Sequence, residues 1–71
     1  MAHNSQLDLY EIRNSVGDLR HRKTLKNMDV DPRDPEHCRE VLRRVAKQNG
    51  IDPYSAEILV WEGRKKERYR L

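Results

Sequence analysis

The stretch from Asp34 to Gly50 suits one structure well, a single amphipathic helix with a marked start and stop. Asp34 is a good N-cap, because its carboxylate accepts from the orphan N–H groups of a first turn. Pro35 fits the first helical position, where its missing N–H costs nothing, and Glu36 favours the positive end of the helix dipole. Cys38, Val41, Leu42 and Val45 then recur on one face of a helical period, and Ala46 widens the stripe. Asn49-Gly50 supplies the stop, with Gly50 free to turn left-handed and Ile51 able to fold back onto the helix. The opposite face carries Glu36, Glu40, Arg43 and Lys47. Their mixed signs read as a solvated surface.

The segments on either side read as strands. Leu7 to Arg13 runs into Asn14-Ser15-Val16-Gly17-Asp18, a poor helix interior and a good turn, and Leu19 to Lys26 runs back. Glu57-Ile58-Leu59-Val60-Trp61 is apolar and rich in strand-favouring residues. It meets a turn at Glu62-Gly63-Arg64-Lys65, after which charged residues alternate with Tyr69 and Leu71. Gly17 and Gly63 would each cost a helix about 1 kcal/mol. The expected fold is therefore α+β: a small antiparallel sheet of two hairpins with one helix packed across it, in the order ββαββ. The alternative is a three-helix bundle. Residues 7–71 form one domain in either case, after a flexible stretch over 1–6.

A chain of 71 residues is one domain, and one this small buries only about 60% of the surface its unfolded form exposes. Self-association is one remedy for so thin a margin. Disulfides are not, because Cys38 is the only cysteine. A lone thiol suits a reducing compartment. His3, His21 and His37 do not fall at metal-ligand spacing with it, so no metal site is expected. No run approaches the ~20 apolar residues of a membrane span, and the first residues lack the pattern of a signal peptide. The reading is a soluble, cytoplasmic protein that does not engage membranes.

No nucleophile elbow, phosphate-binding loop or zinc-protease motif appears. Asp29, Asp31, Asp34 and Glu36 lie in a link punctuated by Pro32 and Pro35, where capping and solubility account for them. Cys38, on the apolar helix stripe, reads as a small core hydrophobe. No catalytic residue, cofactor or small-molecule substrate is expected.

Binding is the remaining class. Net charge is +3, concentrated in basic clusters at 20–26 and 64–70. Strand residues alternate between faces. If Tyr10, Ile12, Ile58, Val60, Tyr69 and Leu71 face the helix, the outer face holds Leu7, Leu9, Arg20, Arg22, Leu59, Trp61, Arg68 and Arg70. A Leu/Trp/Arg surface of that kind suits a partner protein or a second copy of this chain. The alternative partner is nucleic acid, with Trp61 stacking on a base and Lys23, Arg64 and Lys65 joining the arginines at phosphates.

The helical alternative carries a resemblance of its own. Ala46-Lys47-Gln48-Asn49-Gly50-Ile51, followed by Pro53 and Ala56, resembles the helix-turn-helix of DNA-binding regulators, with an alanine between helices and a glycine at the turn. The resemblance implies a recognition helix from Pro53, with Tyr54, Ser55 and Glu57 facing the major groove. It places Arg64, Lys65 and Lys66 near phosphates.

Overall fold

The computed structural model describes residues 3–71. Its elements are β1 (Ser5–Ile12), β2 (Leu19–Met28), α1 (Pro35–Gln48), one 3₁₀ turn (Pro53–Ser55), β3 (Ala56–Glu62) and β4 (Lys65–Tyr69). All four strands join one antiparallel sheet in the order β2-β1-β3-β4. This is the ββαββ architecture expected from the two glycine turns. The helix-turn-helix alternative fails at its second helix. Pro53–Ser55 makes only one 3₁₀ turn, and Ala56, Glu57 and the apolar run after them are strand. Residues 58–61 are β-branched or bulky at all four positions, which suits a pleated strand better than a helix.

The helix begins and ends on the expected residues. The Asp34 carboxylate accepts from the His37 N–H at 3.2 Å. At the other end Gly50 takes φ +70°. Its N–H donates to the Lys47 carbonyl at 3.1 Å, and the Ile51 N–H donates to Ala46 at 2.9 Å. This doubly bonded reversal lets Ile51 return to the core.

In the first hairpin the Arg13 N–H donates to Asp18 across the turn at 2.8 Å. The Asn14 side chain accepts from the N–H groups of Val16 and Asp18. The boundary expected at Leu7 lies earlier. Ser5 and Gln6 belong to β1, and His3 and Asn4 are hydrogen-bonded to Asp29 and Glu62. The rest of the stretch expected to be flexible, residues 1 and 2, lies outside the described residues.

The core forms where α1 crosses β1, β3 and β4. Cys38, Val41, Leu42, Val45 and Ala46 meet Leu7, Leu9, Ile58 and Val60 there. Strand pairing fixes this face: Leu7 stands opposite Val60, and Leu9 opposite Ile58. Leu7 and Leu9 therefore point at the helix, the reverse of the expected arrangement, and Leu9 is 0% exposed. Tyr10 is correspondingly on the outer face, opposite Glu57, and Ile12 follows it by alternation. The reason lies in the Leu-Asp-Leu alternation. Only one side of β1 carries two bulky aliphatic groups within the helix footprint, and burying that side removes the most apolar area from water.

β2 carries two irregularities. Between the pairs Leu7/Leu25 and Ser5/Met28, both Lys26 and Asn27 stand opposite Gln6. Between Leu9/Lys23 and Tyr10/His21, Arg22 is the extra residue. Each bulge shifts the alternation of side chains by one position.

Cys38 is buried, and its thiol donates to the Asp31 carbonyl at 3.2 Å. Burial first, then the nearby Asp34 and Asp31 carboxylates, push its pKa from 9.0 up to about 11. The unfolded thiol ionises first, so this contribution to stability is complete below pH 9 and declines as pH rises toward 11. The thiolate fraction at pH 8 should be roughly a hundredfold below that of a free thiol. Alkylation by iodoacetamide should be slowed at least that much in the folded chain and restored in urea. Equal rates in both conditions would contradict the buried placement.

Candidate functional site

The outer face of the sheet, away from α1, is built from alternate residues of all four strands. β1 contributes Gln6, Asp8 and Tyr10, and β3 contributes Glu57, Leu59 and Trp61. β2 adds His21 and Thr24 through their pairing with Tyr10 and Asp8. β4 adds Lys66, opposite Trp61, and Arg68, opposite Leu59.

Two carboxylates lie within this face, and both are consumed. Asp8 is 7% exposed and Glu57 is 4% exposed. The Thr24 hydroxyl donates to Asp8 Oδ1 at 2.6 Å, and His21 Nε2 lies 2.8 Å from Thr24 Oγ1 and 3.3 Å from Asp8 Oδ1. The His21 ring meets Tyr10 edge-on, with centroids 5.4 Å apart. Glu57 accepts from Arg70 Nε at 2.7 Å. A buried carboxylate requires such partners, because leaving it ionised and unpaired would be costly. Among the described residues no buried side-chain polar atom lacks a partner.

Around β3 and β4 what remains accessible is aromatic and cationic, while at the far end of the face Ile12 pairs with the exposed Leu19. Trp61 is 39% exposed, with Lys66 Nζ 5.1 Å from its ring centroid. Lys66 and Arg68 form no ion pair among the described residues. The exposed part of the face thus combines a π surface with positive charges that no carboxylate on the same face cancels.

Of the residues expected to bind a partner, Trp61, Leu59, Arg68 and Arg70 do share this face. Leu59 is only 7% exposed, so it supports its neighbours and offers little contact area. Leu9 does not belong here; it is core. Arg20 and Arg22 are also corrected. Arg20 pairs with Glu11, whose other neighbour is the buried Ala56, so it lies on the helix side of the sheet. The Arg22 guanidinium bonds Glu11 at 2.7 Å and sits on that side too. The extra residue at Arg22 breaks the simple alternation on which the expectation rested. Lys23 stands opposite Leu9, and Lys65 opposite Glu62, again on the helix side. Arg64 is exposed in the β3–β4 turn. The two basic clusters therefore occupy opposite edges of the sheet. There, charged side chains also discourage strand addition.

Nothing in the spacing of the chain announces a second cluster, in which His3, Asp31 and Glu62 meet with candidate ligand atoms within 4.8 Å of one another. His3 Nδ1 lies 2.9 Å from Glu62 Oε1, and its Nε2 is 3.9 Å from Asp31 Oδ2. Asp31 Oδ1 also accepts from the Arg33 N–H at 2.9 Å. That bond leads the causes that lower the Asp31 pKa. His3 Nδ1, both Glu62 oxygens and Asp31 Oδ1 already have protein hydrogen-bond partners, so the cluster acts as a latch joining the start of β1 to the end of β3 and the β2–α1 link.

No helix among the described residues is long and apolar enough to cross a membrane. No protein-family model, curated protein or solved structure matches the chain.

Proposed function

We propose that this chain is a non-enzymatic module that binds single-stranded nucleic acid across the outer face of its sheet. The observation that carries the reading is the sorting of charge on that face. Asp8 and Glu57 are buried and paired, while Trp61, Lys66 and Arg68 remain accessible. An exposed indole stacks on any base, and unpaired cations neutralise phosphates. Geometry favours a single strand over a duplex. Four strands spaced at about 4.8 Å make a face about 14 Å wide, whereas the major groove, about 12 Å wide, admits a helix or a two-stranded ribbon.

The competing reading, an interface with another protein or with a second copy of the chain, drew on an outer surface rich in leucine. Leu9 and Leu7 now lie in the core, and Leu59 is nearly covered. Without them the face lacks the apolar centre that a stable interface needs.

The chain has one tryptophan, which makes the test direct. A short unstructured oligonucleotide should quench Trp61 fluorescence at low salt. If Lys66, Arg68 and Lys26, which lies near Trp61 at the start of β1, each meet a phosphate, log affinity should fall against log salt with a slope of about −2. Unchanged fluorescence and no binding at 20 mM salt would overturn the reading. A salt-independent rise in solution mass would favour the protein interface.

A further inference from the structure

A cleft of about 330 Å³ opens beside Trp61 at the end of the outer face where β1 begins. Its walls are Asn4, Gln6, Lys26, Asn27, Trp61 and Gly63. We propose that this cleft receives one unstacked nucleobase of a bound strand, held against the indole and read by side-chain amides. This rests on the nucleic-acid reading above and adds to it a specific base pocket.

Three features point the same way. First, the chemistry of the lining matches a base. The side-chain amides of Asn4, Gln6 and Asn27 make no hydrogen bond to other described residues. Each presents a donor beside an acceptor, the complement of a base edge. The volume lies at the lower end for ligand pockets. Second, the backbone is shaped to build the cleft. Lys26 and Asn27 form the bulge opposite Gln6. Asn27 has φ +57°, the one positive value outside glycine among the described residues. Such a conformation is uncommon, and with a bulge it re-aims side chains. Third, the cleft is continuous with the cationic face. Lys26 lies in its wall and Lys66 lies over Trp61, so a strand can keep phosphate contacts while one base turns inward.

Ser5 also borders the cleft, but its hydroxyl already donates to the Met28 carbonyl at 2.9 Å. It holds the rim and is not counted among the base-reading groups.

The test compares two strands of equal length, one carrying bases and one an abasic sugar-phosphate chain. Each is titrated by anisotropy against wild type and against a Gln6→Met, Asn27→Gly double variant. Glycine tolerates the positive φ at position 27, so the bulge survives while the amide is lost. A thermal melt confirms the fold. Wild type should prefer the base-bearing strand roughly tenfold or more, and the variant should lose about fivefold or more of that preference, the remainder coming from stacking on Trp61. Affinity for the abasic strand should not change. Equal affinity of wild type for the two strands, or an unaltered preference in the variant, overturns the base pocket while leaving phosphate binding intact. Failure of both strands to bind wild type at low salt overturns the nucleic-acid reading, and the pocket with it.

Discussion

Replacing Leu9 with alanine should remove much of the stability of this fold. A fully buried leucine truncated to alanine costs about 2–5 kcal/mol. A chain of 71 residues has only about 4–10 kcal/mol in total. Leu9 stands opposite Ile58 in the core cluster that α1 covers, so its truncation leaves a cavity at the centre of the sheet. Urea denaturation should show a midpoint lowered by a third or more, with a near-native slope. Were Leu9 on the open face, the same change would move stability by no more than about 0.5 kcal/mol. That small effect would sink the sheet orientation described here, and the site with it.

Trp61→Ala should have the opposite profile: a folded protein that holds a strand far more weakly. The indole stands at the outer face and is 39% exposed. Its removal vacates little core. Loss of one stacked base is worth about 1–3 kcal/mol, which is roughly 5- to 150-fold in affinity. Because the only tryptophan is gone, binding must be followed with a labelled oligonucleotide. Trp61→Phe keeps an aromatic platform and should recover most of the affinity. Full affinity in Trp61→Ala would show that the strand, if bound, lies elsewhere.

These two residues also mark what the sequence disclosed. Trp61 was legible as an outer-face residue because β3 is regular, and one assignment on it settles the rest. The helix was legible to the residue, since Asp34, Pro35 and Gly50 punctuate it by local chemistry alone. Leu9 was misplaced because Tyr10 and Ile12 compete with Leu7 and Leu9 for the interior. Only the position of the helix decides between them. α1 covers β1, β3 and β4, so the apolar pair within its footprint wins. The faces of Arg20 and Arg22 were hidden for another reason. Pure alternation cannot anticipate two bulges in one strand, and nothing in Arg22 or Lys26 announces them.

The buried carboxylates were equally silent. Asp8 and Glu57 look in sequence like ordinary strand charges. Their partners Thr24, His21 and Arg70 come from neighbouring strands or from the chain just past one. The latch at His3, Asp31 and Glu62 joins three parts of the chain that only folding brings near. Each of these features depends on register, which long-range pairing sets and local propensity does not.

The innermost seam of the sheet joins β1 to β3, with Gln6 opposite Trp61. Each local hairpin supplies one strand of it, β1 or β3, so the first hairpin and α1 together leave Leu7 and Leu9 without their β3 partners. A chain growing from a ribosome would keep those leucines partly wet until its second hairpin had emerged. Closing so long a loop before any large reward makes the rate-limiting step late and concerted. Fragments ending before Ala56 should therefore behave as aggregation-prone coils with a helical tendency near residues 35–48, with no partly built sheet.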